Sequence, residues 1–262
     1  MNDIAIIAGE GRLASVLAER LPDAPVFALE GFMPPVTAEV FRLERLVPFL
    51  DRLADQGVRR VVFGGAIRRP KLDPEAFDPR TAQLVPRMLT AMQSGDDAAL
   101  RVLLEIVEDS GLSVASVQDV APDLIPDAGT LCGWPDQADH ADADRAIQIL
   151  QQTGPLDIGQ GVVVRRGLCV AIETLPGTQA MLEFAALHRD GSARSGVFYK
   201  APKPGQDRRV DLPVIGPDTV DQVAAAGLSG IAWKAGGIIV LDRDAAIYRA
   251  QSAGIFLCAL SK

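Results

Sequence analysis

Aromatic residues make up only 5% of this 262-residue chain, so its cores must be built mainly from aliphatic side chains, for which a 48% hydrophobic content suffices. Cations are the minority charge: 26 Lys and Arg against 34 Asp and Glu give a net charge of −8. Neutralising phosphates along a nucleic acid needs a basic surface, so nucleic acid is excluded as the main partner. A local cationic patch at an anion site stays compatible with that balance. Cysteine is scarce as well. Cys132, Cys169 and Cys258 are odd in number, scattered and without CxxC spacing. That excludes a disulfide framework and predicts buried free thiols in a reducing cytoplasm. No uninterrupted apolar run approaches the ~20 residues that a membrane-spanning helix needs. The first eight residues have neither a charged n-region nor a long apolar stretch, so no signal peptide is expected. These absences point to a soluble cytoplasmic protein of one large or two ordinary domains.

What is present begins with Ile4-Ala-Ile-Ile-Ala8, followed by Gly9-Glu10-Gly11-Arg12-Leu13. Leu13, Val16, Leu17 and Leu21 then share one helical face. Strand, glycine turn and helix open a Rossmann-like unit, whose helix N-terminus offers backbone N–H groups to a phosphate. The third glycine of the dinucleotide fingerprint is lacking, since Ala14 stands there. Glu30, after a possible second strand, occupies the place of a ribose-binding acid. A helix is predicted over 46–56 and a buried strand over 60–63. Gly64-Gly65-Ala-Ile-Arg68-Arg69-Pro70 leaves the carboxyl end of that strand, where parallel sheets bind ligands, and suits a phosphate or uracil-ribose cradle. Helices are expected over 79–92 and 96–110 and a strand over 112–117. The polar, proline- and glycine-bearing stretch 118–143 reads as a linker. His140 among Asp136, Asp139, Asp142 and Asp144 allows a metal site, but a solvated acidic helix start is the ordinary reading.

The second half opens with a short helix over 144–153 and two strands joined at Arg166-Gly167, a hairpin. Thr178 suits a helix N-cap, and His188 a helix dipole. Strands over 231–234 and 238–241 flank Ala235-Gly236-Gly237 and are expected to pair. Between Tyr199 and Thr219 the chain places Lys200, Lys203, Arg208 and Arg209 among Asp207, Asp211 and Asp218, held by prolines and glycines. Cations on a stiff loop suit an anionic ligand, and the interleaved carboxylates suit a hard divalent metal or a water. Lys200, Lys203 and Arg209 can offer charge to such an anion, while Asp157, Glu173, Asp207 and Asp211 are candidates for metal or water.

Several motifs occur together and in order: Ile7-Ala-Gly-Glu-Gly11, Phe63-Gly-Gly-Ala-Ile-Arg-Arg-Pro70, Asp157-Ile-Gly-Gln-Gly161 with Val162-Val-Val-Arg165, Glu173-Thr-Leu-Pro-Gly-Thr178, Lys200-Ala-Pro-Lys-Pro-Gly-Gln-Asp207, Asp211-Leu-Pro-Val-Ile-Gly-Pro217 and Ala226-Gly-Leu-Ser-Gly-Ile231. Over nearly the whole chain this set resembles the LpxI family, the UDP-2,3-diacylglucosamine pyrophosphatases of lipid A biosynthesis. The resemblance implies an α/β fold: a Rossmann-like UDP-binding domain over 1–133, a mixed α+β lipid-product domain over 134–262, and a ligand site between them. It implies Mg²⁺-dependent hydrolysis, water attacking the β-phosphorus to give UMP and 2,3-diacylglucosamine 1-phosphate (lipid X).

The implied catalytic candidates are Asp157, Gln160, Glu173, Lys200, Lys203 and Asp207. Gly9, Gly11, Gly64, Gly65, Arg68, Thr178 and Arg209 are candidates for nucleotide or phosphate, and Asp157, Asp207 and Asp211 for metal. The family pattern also implies an acid just before the Ala-Gly pair at 226–227, where this chain has Ala225. The expectation is a chain that binds substrate and turns it over poorly. Transient contact with the inner-membrane surface and a homodimer complete the expectations. Two alternatives stand beside them: an NAD-dependent oxidoreductase built on the first glycine turn, and a non-catalytic carrier of a phosphorylated lipid.

Overall fold

The computed structural model describes residues 3–67, 70–93, 95–189, 191 and 193–261. The chain divides into two compact units, Met1–Pro122 and Asp123–Lys262. Among the described residues no helix is long and apolar enough to cross a membrane.

The first unit is built on β1 (Ile4–Ala8), β2 (Val26–Leu29), β3 (Glu39–Phe41), β4 (Arg60–Gly64) and β5 (Ser113–Ala115). They form a wholly parallel sheet in the order β3-β2-β1-β4-β5. β1 is buried along its whole length, as an aliphatic strand covered on both faces should be. The helices are α1 (Leu13–Arg20), α2 (Leu46–Asp55), α3 (Pro79–Ala82), α4 (Val85–Gln93), α5 (Asp96–Asp109) and α6 (Val117–Val120). In α2, Leu46, Phe49, Leu50 and Leu53 recur at i, i+3, i+4 and i+7, and all are buried. The single helix expected over 79–92 is split into α3 and α4, because Pro86 lacks an N–H and cannot continue a preceding helix. The strand order reverses direction between β1 and β4, which makes their carboxyl ends the switch point of the sheet.

The second unit carries β6 (Gly129–Cys132), β7 (Gly161–Arg165), β8 (Leu168–Ile172), β9 (Val197–Lys200), β10 (Val214–Ile215), β11 (Gly230–Lys234), β12 (Ile239–Val240) and β13 (Phe256–Leu260). Its sheet runs β6-β13-β11-β9-β7-β8, with β9, β11 and β13 parallel and with β6, β7 and β8 each antiparallel to a neighbour. The helices are α7 (Gln137–Thr153), α8 (Gly177–Leu187), α9 (Pro217–Ala225) and α10 (Arg243–Ala253). Ala143, Ala146 and Leu150 of α7 cover Val162 and Val164 on one face. Met181, Val223 and Ala246 pack with Val163, Phe198 and Trp233 on the other. The expected pairing of 231–234 with 238–241 does not form. β11 has both edges taken by β9 and β13, so β12 pairs instead with β10.

The stretch read as a linker is largely built into this unit. β6 is an edge strand on β13, and α7 begins at Gln137. Its acids open a helix as expected, with Asp136 exposed, but two of them are not solvated. Asp136 and Asp139 form a reciprocal capping box at 3.0 and 2.8 Å, and Asp139 is buried. Asp142, also buried, accepts from the N–H groups of Arg166 and Gly167 at 3.0 and 2.6 Å. It thereby fixes the β7–β8 turn, whose φ angles of 52° and 76° are those of a two-residue hairpin loop. Cys169 departs from expectation too. It is exposed on the edge strand β8, while Cys132 and Cys258 are buried.

Candidate functional site

In the first unit the loops after β1 and β4 are zipped together. Gly9 N donates to Gly64 O at 2.8 Å, and Glu10 and Ala66 exchange backbone bonds of 2.8 and 2.9 Å. A Cβ on Gly9 would lie 2.8 Å from the Gly65 carbonyl carbon, and one on Gly65, whose φ is +100°, 2.8 Å from that of Gly9. These glycines therefore serve first the close approach of two backbones at the switch point. Gly11, at φ +89°, faces open space beside the N-terminus of α1. Gly9, Gly64 and Gly65 are thus brought together, Gly11 stands apart from that contact, and Arg68 lies outside the described residues. Glu30 is engaged elsewhere, 3.0 Å from Arg42 Nε.

In the second unit the candidates gather where β9 ends. Lys200 is the last residue of β9 and is buried. Its ammonium donates to Thr178 Oγ1 and stands 3.6 Å from Glu173 Oε2. Thr178 Oγ1 donates in turn to Glu173 Oε1 at 2.7 Å. The threonine does not cap α8, as its position suggested: the hydroxyl is turned to the carboxylate and the ammonium. Burial holds Lys200 below the ordinary lysine range, and the Glu173 carboxylate pulls it part of the way back. Glu173 Oε2 is buried and takes no hydrogen bond among the described residues.

After β9 the loop folds onto itself through one side chain that sequence reasoning left without a role. Gln206 is buried, accepts from Lys203 N at 3.0 Å and from Gln160 Nε2 at 2.8 Å, and donates to Asp211 Oδ2. Its only sequence signal is its place after Pro204 and Gly205, where a side chain can turn back into its own loop. The ammonium of Lys203 meets Asp157, a left-handed residue at φ 58°. Asp207 is gripped by its neighbour Arg209, whose Nη2 reaches Oδ2 at 2.7 Å and whose Nε reaches Oδ1 at 3.0 Å. The three carboxylates proposed for metal thus point to different partners. Among the described residues no group of three or more His, Cys, Asp or Glu is placed to hold a metal.

Ala225 joins none of these residues. It is exposed at the end of α9, just before β11. β11 pairs in parallel with β9, Gly230 beside Val197 and Trp233 beside Lys200. The α9–β11 connection therefore lies at the opposite end of these strands from Lys200. A different cluster holds it: buried Arg165 donates to the carbonyls of Ser195, His188 and Ala226 at 3.2, 3.3 and 3.2 Å.

Fold and site together define a two-unit α/β protein, with a glycine-zipped switch point in one unit and a buried lysine beside a cation-rich polar loop in the other. The chain belongs to the LpxI family. The family model described as the LpxI N-terminal domain matches residues 3–124, and that described as the LpxI C-terminal domain matches residues 127–258. The protein named UDP-2,3-diacylglucosamine pyrophosphatase LpxI from Caulobacter vibrioides is 35% identical over 272 residues, which cover 98% of this chain and 97% of that protein.

Proposed function

We propose that this chain hydrolyses UDP-2,3-diacylglucosamine to UMP and 2,3-diacylglucosamine 1-phosphate. The observation that carries the reading is the buried Lys200–Thr178–Glu173 cluster beside the 203–211 loop, in a chain of this family. A diphosphate ester needs fixed positive charge where its oxygens gain charge, and an ammonium held in a dry site is worth more there than in water. Lys200 is assigned to those oxygens, with Lys203 beside it. Water adds its oxygen to the β-phosphorus, the bond from that phosphorus to the bridging oxygen breaks, and UMP leaves with that oxygen. Asp211, oriented by the uncharged Gln206 amide, is assigned to orient the water and take its proton. Unit one is assigned the uridine nucleotide and unit two the acylated sugar phosphate.

Mg²⁺ commonly enters such sites on one or two carboxylates and substrate phosphate oxygens, keeping several waters. The donor set suits that mode rather than a prebuilt cage. The Asp157 carboxylate, half exposed at 51%, is the one proposed to meet the ion. Bound there, the ion would neutralise phosphate oxygens and lower the barrier to forming hydroxide. Transient contact with a lipid surface is proposed from the amphiphilic substrate, and exposed Leu168, Leu175 and Leu187 of unit two suit it.

Native mass spectrometry after incubation with UDP-2,3-diacylglucosamine and Mg²⁺ tests the reading. The wild-type chain should yield UMP and the lipid phosphate in equal amounts. Asp211→Asn should retain the intact nucleotide lipid, with release lower by roughly a hundredfold or more. A wild-type chain that neither binds nor cleaves the substrate would sink it.

A further inference from the structure

We propose that Gln206 is the positioning residue of this site, setting the direction of both the Asp211 carboxylate and the Gln160 amide. The inference rests on the pyrophosphatase reading above and deepens it.

The argument starts from a donor that cannot reverse its role. The backbone N–H of Lys203 can only donate, and it points at one end of the Gln206 amide at 3.0 Å. That end must be Oε1. The other end is then the NH₂ group, and it faces Asp211 Oδ2 as a donor to an acceptor. Gln160, 2.8 Å from the same Oε1, must present its own NH₂ there, which turns its carbonyl oxygen away. One backbone N–H thus fixes three side chains in series. The chain is also anchored at its far end, since Gln160 O accepts from Ala201 N at 2.9 Å, directly after Lys200. The hub is buried, 8% exposed, so a misoriented amide would leave unsatisfied groups with little water to repair them.

The choice of an amide has a chemical consequence. Asp207 is bound by the guanidinium of Arg209, which fixes a carboxylate by neutralising it. Gln206 gives Asp211 an uncharged donor, which fixes direction and brings no charge of its own. A carboxylate meant to orient water needs the second kind of support. Glutamate at this position would keep the two acceptor bonds and lose the donor toward Asp211, setting two carboxylates face to face. Methionine would keep the volume and lose all three bonds.

The test is steady-state UMP release by the wild-type chain, Gln206→Glu, Gln206→Met, Asp211→Asn and the Gln206→Glu/Asp211→Asn pair, with the thermal midpoint of each recorded. A residue acting through Asp211 predicts a kcat lower by about 10- to 100-fold for Gln206→Glu, with KM within about threefold. It predicts that Gln206→Glu adds no further loss once Asp211→Asn is present, because two changes in one unit are not additive. In the pair, the new amide at position 211 can donate to the new carboxylate at position 206, so the midpoint should return toward wild type while kcat does not. Losses that multiply in the pair, or a kcat that stays at the wild-type level in Gln206→Glu, overturn the inference while leaving the pyrophosphatase reading in place. If Gln206→Glu fails to fold, Gln206→Met carries the same comparison in the Asp211→Asn background. A wild-type chain that releases no UMP overturns both readings together.

Discussion

The Lys200 ammonium stands 3.6 Å from Glu173 Oε2, with 6% and 13% of the two side chains exposed. So close a pair at the end of a strand is not a core filler. Desolvating both charges costs several kcal/mol per ion, an expense that hydrophobic residues of the same volume would avoid.

That relationship fixes an alkaline limit. Burial puts Lys200 below the ordinary lysine range, so its charge is lost on raising the pH sooner than that of an exposed lysine. Diphosphate affinity should fall with it. KM for the nucleotide lipid should rise on the alkaline side, and Lys200→Arg, which stays charged, should remove that rise. Stability runs the other way. Between the lowered folded value and that of the unfolded chain the unfolded state binds more protons, so the contribution of this group rises with pH. A pH series of KM and of urea midpoints reads both signs.

Removing one partner of the pair should be worse than removing both. Lys200→Met leaves a buried carboxylate uncompensated and should cost about 3–5 kcal/mol in urea unfolding. Lys200→Met/Glu173→Leu should recover a large part of that loss without recovering turnover. Equal destabilisation by the single and double variants would show that the pair acts as two separate groups.

The glycines of the first unit divide into two kinds. Gly65→Ala forces a Cβ against the backbone of the 9–10 loop at a φ of +100°, and should cost several kcal/mol and break the Glu10–Ala66 bridge. Gly11→Ala meets open space and carries only the strain of φ +89°, about 1 kcal/mol. If Gly11 faces the nucleotide, its variant should weaken UMP binding while its unfolding midpoint stays near wild type; calorimetric UMP titration beside a melt separates the two.

Ala225→Asp should leave UMP release within about twofold of wild type. The position is exposed at the far end of the strand pair from Lys200, and an acid at the C-terminus of α9 would oppose the helix dipole at a cost of about 0.3–1 kcal/mol. A gain of tenfold or more would restore the missing-acid account.

Much of this fold is legible in its sequence. The Arg166-Gly167 turn, the aliphatic runs of β1 and β7, and the irregular proline-rich loop after Lys200 all carry local signals that the structure bears out. What stayed hidden is set by three-dimensional neighbours. Ala235-Gly236-Gly237 looks like a hairpin turn until β9 and β13 occupy both edges of β11. Asp142 reads as a solvated acid until the hairpin turn arrives beside it, 24 residues later in the chain. Ala225 stands just before the Ala226–Ile231 motif, and order along the chain does not say which end of a strand a connection enters. Gln206 was hidden for the opposite reason: a glutamine in a loop carries no chemical signature until its partners are seen.

The most direct test is hydrolysis of UDP-2,3-diacylglucosamine in H₂¹⁸O with Mg²⁺, both products being weighed by mass spectrometry. The account predicts unlabelled UMP and one ¹⁸O in the 2,3-diacylglucosamine 1-phosphate, as attack at the β-phosphorus requires. Label in UMP, or no cleavage at all, would contradict it.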